Sequence, residues 1–151
     1  PLSVNEVVTE AVKDFTSTLQ DYPLQIEFEE DPRSPICSLA PLEFELAVFN
    51  LLKNAKEALK AQKADEPKLF IKLSSSETHC FVDISDNGAV ISDSDFERMG
   101  SVFKSGKASG LGIGLSIVRS IVQNHNGSLV LERGENGGLV CRIRLPILNT
   151  E

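Results

Sequence analysis

Asn50-Leu51-Leu52-Lys53-Asn54-Ala55 lies in the middle of the longest helical pattern of the chain. From 42 to about 62, Leu42, Leu46, Phe49, Leu52 and Leu59 recur at the spacing of one helix face. Pro41 just before them suits a first helical turn, where a missing amide costs nothing. Asn50, Asn54 and Glu57 fall one and two turns apart, on a narrow stripe beside the apolar face. An Asn carbonyl oxygen there is a neutral, hard ligand, suited to Mg²⁺ shared with phosphates. The alternative is a pair of Asn side chains that cap or bridge neighbouring elements. The poor helix propensity of interior Asn weighs a little against it.

Downstream, Leu69, Ile71 and Leu73 alternate with polar residues, and Phe81, Val82 and Ile84 follow, so two strands are expected, joined through Ser74-Ser75-Ser76. Asp86-Asn87-Gly88 closes the second strand. A carboxylate at that place can accept a hydrogen bond from an exocyclic amine, and Gly88 lets backbone approach a flat ring. The competing reading is a ligand-free Asn-Gly hairpin turn. Residues 93–98 read as a short helix capped by Ser92 or Asp93, and residues 100–110 as a flexible, small-residue stretch. Gly110-Leu111-Gly112-Ile113-Gly114-Leu115 then exposes amides ahead of a helix running to His125, with Ile117, Val118, Ile121 and Val122 inward. A plain hinge is the alternative. Neither common phosphate motif fits. Residue 115 is Leu where the dinucleotide fingerprint needs a third glycine, and the Gly100 to Gly106 spacing is one residue too long for a Walker loop. Lys104 and Lys107 precede the glycines and could neutralise a triphosphate, or be solvated loop lysines. Asn126-Gly127 ends the helix, and two last strands (129–131 and 139–145) turn at Glu135-Asn136-Gly137-Gly138.

Upstream, Val4, Val7, Val8, Ala11, Val12 and Phe15 mark a helix over 3–19, with Ser3 as N-cap, Glu6 as its capping-box partner and Tyr22-Pro23 as the stop. Leu24, Ile26 and Phe28 form a strand, and residues 36–39 a short second one. Helices intervene singly between strands that do not alternate regularly with them. The expected fold is α+β: a two-layer sandwich, with helices on one face of a mixed, mostly antiparallel sheet.

The 151 residues suit one domain, and a 41% hydrophobic share suffices for a core. A net charge of −7 excludes the basic footprint of a nonspecific nucleic-acid binder. Cys37, Cys80 and Cys141 are widely spaced and odd in number, so buried reduced thiols are expected. No run approaches the roughly 20 apolar residues that span a bilayer.

In this order the segments resemble the ATP-binding catalytic domain of sensor histidine kinases, within the Bergerat-fold group of gyrase B, Hsp90 and MutL. Asn50 to Ala55 is similar to the N box, Asp86-Asn87-Gly88 to the G1 box, Phe103 to the F box, and the run from Gly110 to Val118 to the G2 box. Asn126-Gly127-Ser128 and Arg144-Leu145-Pro146 are similar to the closing strands. The resemblance implies that Asn54 binds Mg²⁺, Asn50 lines the phosphates, and Asp86 reads the adenine amine with Gly88 shaping the pocket. Residues 100–109 would be a flexible ATP lid. Gly110, Gly112 and Gly114, with Leu111 and Leu115 between and after them, would present amides to ATP. Asn50 occupies the place where the ATPase relatives carry a water-activating Glu, and an amide is no general base. This favours phosphoryl transfer to an external acceptor over hydrolysis.

Two departures stand out. Val90 replaces the second G1 glycine, and Glu57 stands where many of these kinases carry Lys, as a possible extra carboxylate near the metal. His79 and His125 lie outside the acceptor context, so both are expected to be structural. The implied partners are a dimerisation module of the same parent that carries the phosphoacceptor His, and a downstream response regulator. The chain is expected to be a catalytic domain cut just after those helices, monomeric, free of membrane contact, binding ATP without autophosphorylating. It would be cytoplasmic, or the cytoplasmic part of a membrane-bound sensor. The alternatives are a degenerate pseudokinase with weak nucleotide binding, and a serine kinase or weak ATPase of the same fold.

Overall fold

The structure, a computed structural model, describes residues 1–105 and 112–148. The elements run β1 (Leu2–Ser3), α1 (Val4–Thr16), β2 (Gln25–Glu29), β3 (Ile36–Cys37), α2 (Pro41–Ala61), β4 (Lys68–Ser75), β5 (His79–Asp86), α3 (Asp93–Ser105), α4 (Gly112–Asn124), β6 (Ser128–Arg133) and β7 (Leu139–Pro146). Five strands form one sheet in the order β2-β4-β5-β7-β6. Only β2 and β4 run parallel; the other neighbours are antiparallel. The alternation in β4 and β5 turns Leu69, Ile71, Leu73, Cys80, Val82 and Ile84 to one face. Val8 and Phe15 of α1, Phe44, Val48 and Leu52 of α2, and Val118 and Val122 of α4 complete that core. Glu27, Lys72, Asp83, Arg142 and Arg144 share the opposite face; Lys72, Asp83 and Arg142 are cross-strand partners there, and the Arg142 guanidinium grips Asp83 through Nε and Nη2 (2.7 and 2.9 Å). The architecture is the expected α+β sandwich.

Several details differ from expectation. β1 pairs with β3 as a separate two-residue ribbon, too short to leave an alternating signal. Ser3 is the N-cap of α1 but makes no capping bond; its hydroxyl meets that of Ser34 instead (2.8 Å), so no capping box forms. α1 stops at Thr16 because the hydroxyls of Ser17 and Thr18 turn back onto the Asp14 and Phe15 carbonyls (both 2.6 Å), competing with further helix. In α2 the core face is set by Phe44, Ala47, Val48, Leu51 and Leu52, which leaves Leu42 and Leu46 in solvent. On α4, Ile117 is likewise exposed while Val118, Ile121 and Val122 are buried.

α3 continues past Arg98 to Ser105, so residues 100–105, expected to be flexible, are helical. Of the two cap candidates, Ser92 is the one used, its hydroxyl accepting from the Asp95 amide (3.2 Å). The end of α4 follows the sequence closely. Asn126 takes φ +59°, and the Gly127 amide returns to the Val122 carbonyl (2.9 Å). A side chain at Gly127 would strike the Arg144 carbonyl, so this helix end can lie directly on β7.

The two histidines have different settings. His125 is buried against the Phe44 ring, 5.6 Å between centroids. The Ala40 amide donates to its Nε2 (3.0 Å), so Nδ1 carries the hydrogen and donates to the Ile121 carbonyl (2.8 Å). One side chain thereby fastens the end of α4 to the start of α2. His79, on β5, bonds the neighbouring Thr78 hydroxyl (2.8 Å).

Candidate functional site

Asp86 is the last residue of β5, where the strand leaves the sheet. Its Oδ1 accepts from the Gly88 amide (2.8 Å), and its Oδ2 accepts a longer bond from the Leu139 amide (3.4 Å). Burial pushes the carboxyl above its ordinary value, and the two amides oppose that shift. The charge is thus aimed and partly desolvated. Each oxygen accepts one bond and keeps a second lone-pair direction for a donor from outside.

The loop after Asp86 is clamped from three sides. Asn87 reaches to the start of β4, donating to the Glu66 carbonyl (2.7 Å) and accepting from the Lys68 amide (2.8 Å). Ala89 donates its amide to Gln62 Oε1 (2.8 Å) and accepts from the Gly138 amide (2.9 Å). Gly88 lies so close to Asp86 and Gln62 that a Cβ would come within 2.7 and 2.8 Å of their oxygens. Gly138 has φ +75° and touches the Asp86 backbone; a Cβ there would also sit 2.5 Å from Oδ1. Gly88 does not share the positive φ of Gly137 and Gly138. Asn87-Gly88 is therefore not a type I′ hairpin turn but the floor of a loop that holds a carboxylate. Val90 is 81% exposed, so its branched side chain does not fill the space beside Asp86.

Asn50 and Asn54 lie on α2, whose C-cap residue is Gln62. Asn50 is half-buried, and its Nδ2 donates to the Leu46 carbonyl (3.0 Å) within the same helix. Asn54 is different: its Nδ2 is buried without any hydrogen-bond partner among the described residues. Such an orphan costs stability unless something satisfies it. A half-turn of the amide exchanges nitrogen for oxygen, so the position fits a cation ligand as well as a donor to phosphate. Glu57 is exposed, a turn further on, and its carboxylate is not drawn into the core beside Asn54.

The glycine-rich segment is described in part. Gly112 and Gly114 fall in the first turn of α4, and Leu115 is buried under it. First-turn amides lack partners within a helix and are suited to anions. α2 and α4 pack against each other, which puts the two Asn residues and this helix start in one layer. Gly110, Leu111 and Lys107 lie outside the described residues, as do the side chains of Phe103 and Lys104, whose backbone belongs to α3.

The structure brings Asp86 and Gly88 together with three positions that sequence reasoning missed as functional: Gln62, Gly138 and Leu139. Gln62 reads only as the last helical residue. Gly137-Gly138 reads only as a turn, although two adjacent glycines also announce close backbone approach. A cavity of about 540 Å³ on the far face of the sheet, lined by Glu27, Phe70, Lys72 and Asp83 among others, contains none of the candidate residues.

The chain is 28% identical over 146 residues to the C4-dicarboxylate transport sensor protein DctS of Rhodobacter capsulatus, covering 97% of this chain and 22% of that protein. It is 27% identical over 144 residues to the sensor protein FixL of Bradyrhizobium diazoefficiens, covering 95% of this chain and 28% of that protein. The chain thus spans about a quarter of the length of these relatives. The catalytic domain of histidine kinase ThkA superposes with a TM-score of 0.80 at 25% identity, covering 97% of this chain and 95% of that one. The mycobacterial sensor histidine kinase MprB shares the fold, with a TM-score of 0.77 at 20% identity over 99% of both chains. Residues 40–149, from the turn before α2 through β7, match the family of histidine kinase-, DNA gyrase B- and HSP90-like ATPases, and the chain belongs to that family.

Proposed function

We propose that this chain is the ATP-binding catalytic domain of a two-component sensor histidine kinase, and that it passes the γ-phosphoryl group to a histidine on a separate dimerisation module of its parent. The observations that carry the reading are a buried amide at Asn54 of α2 that has no partner among the described residues, and a clamped, partly desolvated carboxylate at Asp86 whose following loop is held to α2 through Gln62 and the Ala89 amide. Asp86 accepts from the adenine amine with the lone pairs that Gly88 and Leu139 leave open. Gly112 and Gly114 present first-turn amides of α4 to the phosphates. Asn54 holds Mg²⁺ and Asn50 faces the phosphates; the metal supplies charge neutralisation on the triphosphate. Lys104 and Lys107 add positive charge on the approach to the site.

Asn50 cannot deprotonate water near neutral pH, so the site favours transfer over hydrolysis. Catalysis is then positioning and electrostatic stabilisation of a loose phosphoryl transition state. The domain acts as a monomer on the cytoplasmic side, and its phosphorylated partner passes the group to a response regulator. Neither His79 nor His125 is read as the acceptor: His79 lies on a strand of the sheet, and His125 is buried with its ring bonded to Ala40 and Ile121. With radiolabelled ATP and a purified dimerisation module, the expected product is an acid-labile phosphohistidine on the module and no label on this chain. An acid-stable phosphoserine product would overturn the histidine assignment.

A further inference from the structure

We propose that Cys37 and Cys80 are a site of reversible oxidation: a reactive thiol pair that a peroxide-class oxidant converts to a disulfide joining β3 to β5. The two Sγ atoms lie 3.2 Å apart, on residues distant in sequence and both buried. Neither is engaged in a disulfide. Two sulfurs at 3.2 Å need to approach by only about 1 Å to reach bonding distance.

The pair is chemically asymmetric. Contact with the Cys80 thiol holds Cys37 below the usual thiol range even though burial opposes it. The same contact, with burial, pushes Cys80 up. Cys37 is the nucleophile and Cys80 the resolving thiol. Access is asymmetric too. Cys37 lines a surface cavity of about 260 Å³, with Asn124, His125, Pro146 and Leu148, whereas Cys80 does not. Cys37 also belongs to the two-residue β1–β3 ribbon, which can open locally at low cost.

In the first step the Cys37 thiolate attacks one peroxide oxygen. The O–O bond breaks, hydroxide leaves, and Cys37 becomes a sulfenic acid. In the second step the Cys80 sulfur attacks the Cys37 sulfur, the S–O bond breaks, and the hydroxyl leaves with the Cys80 proton as water. Two thiols lose two electrons in all, and one hydrogen peroxide becomes two waters. The closed loop contains all of α2, so oxidation tethers the helix that carries Asn50 and Asn54.

The test treats the folded wild-type chain with hydrogen peroxide, blocks remaining thiols with N-ethylmaleimide after unfolding, and maps peptides without reductant. The expected result is a loss of 2 Da, a cross-linked peptide holding residues 37 and 80, one blocked thiol at Cys141, and full reversal by dithiothreitol. Cys141 is the internal control, since burial pushes its thiol up to about 12. The thermal midpoint of the oxidised chain should rise by about 5 °C or more. In Cys80→Ser, dimedone should trap a sulfenic acid at residue 37, and in Cys37→Ser it should trap none. The wild-type map stands by itself should either variant fail to fold. Recovery of both Cys37 and Cys80 as blocked thiols after oxidation, or a cross-link through Cys141, would overturn the proposal.

Discussion

Gln62 and Ala89 are joined by one hydrogen bond: the Gln62 side chain, at the end of α2, accepts the Ala89 amide at 2.8 Å. The helix that carries Asn50 and Asn54 is thereby tied to the loop that follows Asp86. The helix rises about 1.5 Å per residue, so the bond acts some 12 Å along the axis from Asn54.

Replacing Gln62 by Ala removes the only side-chain tether between α2 and residue 89 among the described residues. The Ala89 amide is accessible, so water can replace the lost partner and folding should change by less than about 1 kcal/mol. Loosening the loop should nevertheless weaken adenine nucleotides about three- to tenfold, corresponding to roughly 0.7–1.4 kcal/mol. Gln62→Glu keeps an acceptor and should retain most of the affinity. Fluorescent nucleotide titration beside thermal denaturation separates the two effects.

Asp86 carries a pH signature. Burial raises its folded carboxyl above the ordinary aspartate value, so the folded state holds its proton more tightly than the unfolded chain does. The stability this group contributes is present below the unfolded value and is lost as pH rises through the folded one. Asp86→Asn should therefore be as stable as wild type or more stable at pH 7, with the advantage vanishing below about pH 4. Nucleotide affinity has the opposite sense: it should fall as acid protonates the carboxylate, and Asp86→Asn should bind poorly at every pH. Thermal melts and titrations from about pH 3 to 8 check both.

At Gly138, alanine should be costly. The residue has φ +75°, and a Cβ would press on the backbone and side chain of Asp86. Strain and steric displacement together should destabilise the fold by about 2–4 kcal/mol. Gly100 is the comparison: a Cβ there meets nothing within 4 Å, so Gly100→Ala should be neutral or slightly stabilising. Chemical denaturation measures both.

His125 holds α2 and α4 together through both ring nitrogens. His125→Ala removes ring packing on Phe44 and leaves the Ala40 amide without its partner, at an expected cost of about 2–4 kcal/mol. If the ring is purely structural, phosphoryl transfer by the folded fraction should be unchanged.

Much of this was legible in the sequence because it rests on periodicity. β4, β5 and α2 each carry many consecutive residues that repeat one pattern, and their type and sidedness were readable directly. The failures come where few residues carry the signal or where packing overrides it. β1 and β3 are two residues each, and only their mutual pairing defines them. Leu42 and Leu46 share a helical stripe with buried leucines, yet Phe44 and Val48 take the core because they face the sheet and α4. At the candidate site, residue type and spacing singled out Asn54 and Asp86, which the structure gives a buried amide and a clamped carboxylate. Their supports were not singled out. Gln62, Gly138 and Leu139 act through a side-chain acceptor, a missing Cβ and a backbone amide, and the last two have no side-chain chemistry to read.

The central claim is that Asn54 and Asp86 serve one nucleotide, and calorimetric titration with a non-hydrolysable ATP analogue and Mg²⁺ tests it most directly. The account predicts micromolar binding to the wild-type chain. Binding should weaken at least about tenfold in Asn54→Ala and in Asp86→Ala, both of which should melt cooperatively. Absence of binding by the folded wild type at millimolar nucleotide, or binding unchanged in both variants, would contradict it.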